Sequence, residues 1–85
     1  MKIGFSEKLK IPKDLTKKEL LISITGSSEV FVENYKGILE YTDRQILVAG
    51  HKNTVVMKGF RLLITYYTDD EMLITGQFKS IEFGN

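Results

Sequence analysis

Apolar and polar residues alternate with period two through most of this chain, and the alternation is punctuated by glycines. Ile22-Ser23-Ile24-Thr25-Gly26, Ile46-Leu47-Val48-Ala49-Gly50 and Met72-Leu73-Ile74-Thr75-Gly76 share one template: apolar, any residue, apolar, small, glycine. A few polar residues follow each glycine, and then a second alternating run begins: Val30-Phe31-Val32, Val55-Val56-Met57 and Ile81-Glu82-Phe83. The last two copies extend upstream, where Tyr41-Thr42-Asp43 matches Tyr67-Thr68-Asp69. Period-two alternation places every second side chain on one face, so each copy reads as two short strands meeting at a glycine.

Carried along the chain, this pattern predicts about eight short strands. They are residues 20–25, 29–33, 38–41, 45–49, 54–58, 60–67, 71–75 and 77–83. Asn34-Tyr35-Lys36-Gly37 reads as a tight turn, since Asn and Gly tolerate positive φ. Gly59 reads as a bulge or a close backbone approach, and Gly26, Gly50 and Gly76 as bends or bulges. Short links favour antiparallel neighbours, which makes a meander the default. The fold class is therefore all-β: a small curled antiparallel sheet, as a sandwich, roll or partly open barrel. The repeat predicts a core in four sets: Ile22, Ile46 and Met72; Ile24, Val48 and Ile74; Val30, Val55 and Ile81; Val32, Met57 and Phe83.

Phe31, Leu39, Leu47, Val56, Leu63 and Phe78 fall out of phase with those sets. Either they form a second core layer, or they leave an apolar strip that marks a partner surface. Phe31, Val56 and Phe78 are the candidate interface residues.

Residues 1–18 break the pattern. Pro12 stops any helix there and pushes Ile11 to an extended conformation. This segment reads as a lead-in arm, ordered where Leu9, Ile11 and Leu15 find apolar cover, and residues 19–85 read as a single all-β domain.

Composition narrows the picture. A chain of 85 residues buries only about 60–65% of its unfolded surface. Without cysteine, neither disulfides nor thiolate metal sites can reinforce its core. That fits a reducing cytoplasm. The net charge of +1 lacks the basic excess of a dedicated nucleic-acid binder. No apolar run is long enough to span a bilayer as a helix, and the N-terminus has no signal-peptide core. Any work at a membrane is expected to be peripheral or through a partner.

Few residues of the chain carry a pattern suited to catalysis or metal binding. His51 is the only histidine, and it shares its template position with Ser27 and Gln77, which reads as exposed turn variation. Asp69-Asp70-Glu71 is the only acidic cluster, without the spacing of a calcium loop; an Asp-initiated turn explains it. No phosphate-binding glycine loop occurs. Neither catalytic residues, metal nor cofactor is expected. The pairs Tyr35-Lys36, Phe60-Arg61 and Phe78-Lys79 set an aromatic beside a base, which keeps single-stranded nucleic-acid binding by a small β-barrel as the alternative.

In these residues the chain resembles the YabP/YqfC family of sporulation proteins from endospore-forming Firmicutes, closer to its YqfC branch. The likeness runs through Leu9-Lys10-Ile11-Pro12-Lys13-Asp14, Ile24-Thr25-Gly26 and Val32-Glu33-Asn34-Tyr35-Lys36-Gly37-Ile38-Leu39. It continues through Val56-Met57-Lys58-Gly59-Phe60, Leu62 and Ile64, and closes with Glu71-Met72-Leu73-Ile74-Thr75-Gly76 and Ile81-Glu82-Phe83. The arm departs from the branch in being shorter and free of Trp. The resemblance implies a non-enzymatic protein of the mother-cell cytoplasm, acting in forespore or spore-envelope assembly. Its implied partner is a protein, either a YqfD-like membrane protein or a second copy of the chain, and no nucleic acid. The resemblance brings no catalytic residues with it.

Overall fold

A computed structural model describes residues 19–84 of the chain; the lead-in arm expected at residues 1–18 lies outside them. The described residues form six strands and no helix: β1 (Leu21–Thr25), β2 (Glu29–Glu33), β3 (Gly37–Tyr41), β4 (Gln45–Ala49), β5 (Thr54–Tyr67) and β6 (Glu71–Gly84). All pair antiparallel in one open sheet of order β1-β2-β6-β5-β4-β3.

Six strands replace the eight expected because two glycines bend the chain without ending a strand. Residues 54–58 and 60–67 run together as β5 through Gly59, and residues 71–75 and 77–83 run together as β6 through Gly76. The register of β5 against β6 slips between Lys58 and Gly59 and again between Phe60 and Leu63, which bends both strands of the hairpin. Gly59 can only be glycine: a Cβ there would lie 1.9 Å from the Gln77 carbonyl oxygen. Gly76, at φ 145°, takes a backbone conformation that L side chains rarely adopt.

The sheet is not a meander. β2 leaves its hairpin with β1 and pairs with β6, and β3 sits at the far edge, so Asn34-Tyr35-Lys36-Gly37 is not the tight turn expected but a link between separated strands, with Asn34 alone at positive φ and Gly37 already in β3. Glu33 of β2 faces Glu71 at the start of β6. Gly37 of β3 connects through Ala49 and Thr54 to Gly84 at the end of β6. Straight, the 14 residues of β6 would hold those ends more than about 40 Å apart. Residues 34–36, the only link between β2 and β3, can span no more than about 14 Å from Glu33 to Gly37. The long hairpin must therefore fold back, laying β1, β2 and the start of β6 over β3, β4 and the start of β5.

That fold-over creates the core. Val30, Val32, Met72 and Ile74 from one half, and Ile46, Val48, Val55 and Met57 from the other, are completely buried in a single cluster with Leu62 and Tyr35. Eight of the twelve residues in the repeat-derived sets are among them, and Ile22 and Ile81 pack against the cluster. Ile24 and Phe83 are corrections: they lie on β1 and at the outer end of β6 and stay 54% and 63% exposed. The repeat-related residues also do not stack on one another. Ile22 faces Val32, which faces Met72, while Ile46 faces Met57, which faces Ile81. Copies one and two are each a hairpin, and the third copy, opened out into β6, bridges them.

Candidate functional site at the bend of the sheet

Bending a ladder strands backbone N–H groups, and each needs an acceptor. The neighbouring turns provide them symmetrically. Gly59 and Leu62 donate to the Arg44 and Asp43 carbonyls of the β3–β4 turn, at 3.0 and 2.8 Å. Gly76 and Phe78 donate to the Ser28 and Ser27 carbonyls of the β1–β2 turn, at 3.1 and 2.9 Å. Phe60 and Arg61 project from the bulge between Gly59 and Leu62, with Arg61 held at φ 55°, which is uncommon for a non-glycine residue.

The result is a cleft lined by Asp43, Arg44, Phe60, Arg61 and Gln77. Phe60 is 39% exposed. The Arg44 guanidinium carbon lies 5.1 Å from its centroid and the Lys79 ammonium 5.6 Å, both within cation–π range. Arg44, Arg61 and Lys79 form no salt bridge among the described residues, where the one ion pair joins Lys52 to Glu19. Two cations thus lie against one aromatic ring, with Arg61 lining the same cleft and Asp43 its one acidic side chain.

The three aromatic–basic pairs of the sequence come apart. Phe60-Arg61 and Lys79 meet at the bend, together with Arg44, which nothing in the local sequence singled out. Phe78 is half-buried and packs against the core. Tyr35 is buried, only 6% exposed, and its hydroxyl donates to the Thr68 carbonyl. Neither of those two rings is a free stacking platform, and the Phe60 ring already carries two cations.

The interface candidates are also dispersed. Phe31 lies between Ser23 and Leu73 on the outer face of one half of the folded sheet. Val56 lies between Leu47 and Glu82 on the outer face of the other. Phe31, Leu47 and Val56 are half-buried, whereas Leu39 and Leu63 are 60% and 54% exposed. Leu63, Tyr66 and Tyr67 belong to the outer end of β5, which pairs with β6 alone. Tyr41 of β3 caps that end, its hydroxyl accepting from the Ile64 N–H at 2.9 Å.

His51 is exposed in the β4–β5 connection. Asp69 and Asp70 sit in the β5–β6 turn, whose structure comes from Thr68: its hydroxyl accepts from the Asp70 and Glu71 N–H groups, and its own N–H donates to the Glu71 carbonyl. Among the described residues, no group of three or more His, Cys, Asp or Glu side chains is placed to hold a metal ion. No helix among them is long and apolar enough to cross a membrane.

Fold and cleft together define a small all-antiparallel β domain, folded over on a glycine-hinged central hairpin. The YabP family profile matches residues 16–85, and the chain belongs to that family. It is similar to the uncharacterized protein YqfC of Bacillus subtilis (strain 168), with 20% identity over 83 residues, covering 98% of this chain and 89% of the relative. No solved structure matches the chain.

Proposed function

We propose that this protein is a non-enzymatic, sporulation-related β module that works by binding another protein during forespore or spore-envelope assembly. The partner would be a membrane protein of the YqfD-like kind or a second copy of the chain. Membership of the YabP family across residues 16–85 supports the sporulation role.

The observation that carries the binding role is the open edge. Leu63, Tyr66 and Tyr67, 54%, 46% and 67% exposed, are carried on a strand segment with a neighbour on one side only. Beyond Ile64, whose N–H is taken by the Tyr41 hydroxyl, the segment has no second strand beside it, which suits addition of a partner strand.

The test is a pull-down with tagged protein from detergent-solubilised sporulating cells, followed by mass spectrometry, with the native mass of the purified protein measured alongside. One enriched membrane protein, or a stable dimer, supports the module reading. A strictly monomeric protein that recovers no specific partner overturns it.

A further inference from the structure

We infer that the cleft at the bend is a docking site for an acidic peptide segment of the partner, with carboxylates seated among Arg44, Arg61 and Lys79. The inference rests on the module reading above and assigns it a second contact, away from the apolar edge.

Charge and geometry carry it together. The chain as a whole is nearly neutral, at +1, yet Arg44 and Arg61 line the cleft and Lys79 lies against its Phe60 ring, none of the three with a salt-bridge partner among the described residues and with Asp43 as the one acidic side chain in the lining. Like charges held close repel unless an anion lies between them. The Phe60 ring sits against Arg44 and Lys79 and restrains both. An arginine so oriented presents a planar fork that matches a carboxylate in two parallel hydrogen bonds. Holding Arg61 in the left-handed region costs backbone energy, and the bend that imposes this also carries the Arg61 side chain out of the ladder and into the cleft lining.

The polar partners point to a peptide. Asp43 and Gln77 line the same cleft. A carboxylate acceptor and a side-chain amide suit the N–H and C=O groups of a polypeptide, which can set its own carboxylates on the arginines and a backbone N–H on Asp43, whereas a polyphosphate, charged at every unit and without donors, would meet Asp43 with repulsion alone. Nucleic acid binding would need bare aromatic faces for stacking, and the Phe60 ring is engaged with cations. An anionic bilayer is typically read by clusters of about four to eight basic residues, more than gather here.

The test is fluorescence anisotropy with three probes: a labelled peptide of the repeat Glu-Gly, a labelled oligo-dT, and vesicles of phosphatidylcholine with phosphatidylserine. The proteins are the wild type, the double variant Arg44→Gln/Lys79→Gln, and Arg61→Gly, which removes the cation and suits the positive φ. The expected result is salt-sensitive binding of the acidic peptide, weakened about tenfold or more in both variants, with circular dichroism unchanged. No peptide binding, binding unmoved by the substitutions, or a preference for oligo-dT or vesicles would overturn the inference. Repeating the sporulating-cell pull-down with Arg44→Gln/Lys79→Gln separates the two readings. Capture equal to wild type removes the cleft and leaves the module, whereas no capture by the wild type removes the module itself.

Discussion

The Tyr35 hydroxyl donates to the Thr68 carbonyl, tying the β2–β3 link to the turn of the central hairpin across 33 positions of sequence. Next to it, the Asn34 N–H donates to the Asp70 carbonyl at 2.7 Å. These contacts close the fold at the end opposite the glycine bend. The one reverses the long hairpin, and the other latches its returning ends.

Tyr35→Phe is expected to cost about 1 kcal/mol in urea unfolding, the net worth of one hydrogen bond, with part of the loss coming from the unpaired Thr68 carbonyl. The same residue gives a pH dependence. Burial, and after it the negative charge of Asp69, raises the Tyr35 pKa above its ordinary 10.0. The folded state therefore holds this proton more tightly than the unfolded chain does. The contribution is intact below pH 10 and is lost as pH rises through the folded-state value. A denaturation series from pH 8 to 12 should show alkaline destabilisation that is smaller in Tyr35→Phe.

Gly59→Ala is expected to destabilise the domain by about 3 kcal/mol or more, because a methyl group would meet the backbone oxygen of Gln77 rather than a side chain able to move aside. Gly37→Ala is the control. Nothing lies within 4 Å of the methyl position there, so a change of no more than about 0.5 kcal/mol is expected. Thermal melts followed by circular dichroism compare the two; equal losses would mean that the bend does not depend on Gly59.

Thr42 and Thr68 build the same turn twice. The Thr42 hydroxyl accepts from the Arg44 and Gln45 N–H groups at 3.1 and 2.9 Å, and Thr68 does the same for Asp70 and Glu71 at 3.4 and 3.2 Å. Either Thr→Ala substitution should cost about 0.5–1 kcal/mol, since water can reach these exposed groups. The double variant should lose the sum within about 0.5 kcal/mol if the turns act independently. A much larger double loss in urea titrations would show them coupled through the sheet.

Ile24 and Ile74 occupy one template position but different surroundings. Ile74 is fully buried between Val30 and Ile64, and Ile24 is half-exposed on edge strand β1. Ile74→Ala should cost about 2–5 kcal/mol through cavity formation, and Ile24→Ala less than about 1 kcal/mol. Similar losses would mean that β1 is covered in solution, as self-association through that edge would do.

Much of the fold was legible in sequence because a strand's inward face is written locally. Alternation alone located Val30, Val32, Ile46, Val48, Val55, Met57, Met72 and Ile74, all of them core residues. The repeat also exposed the paired Tyr-Thr-Asp turns, but as turns begun by Asp; the structure gives the capping role to the Thr42 and Thr68 hydroxyls one residue earlier. Strand count was misread at Gly59 and Gly76. A glycine that reverses the chain and one that bends it look alike in sequence, and only the neighbouring strand decides which occurs.

The sequence by itself determined the all-β class, most of the core, the places of the two Tyr-Thr-Asp turns and the YabP-family likeness, because each depends on short-range periodicity or on an ordered series of local motifs. Tertiary structure alone decided that β2 crosses to β6, that Tyr35 is buried, and that Arg44, Phe60 and Arg61 line one cleft with Lys79 against the Phe60 ring. Those relationships join residues on different strands. They arise when one bent hairpin folds two distant halves together, and local alternation carries no record of which strands will become neighbours.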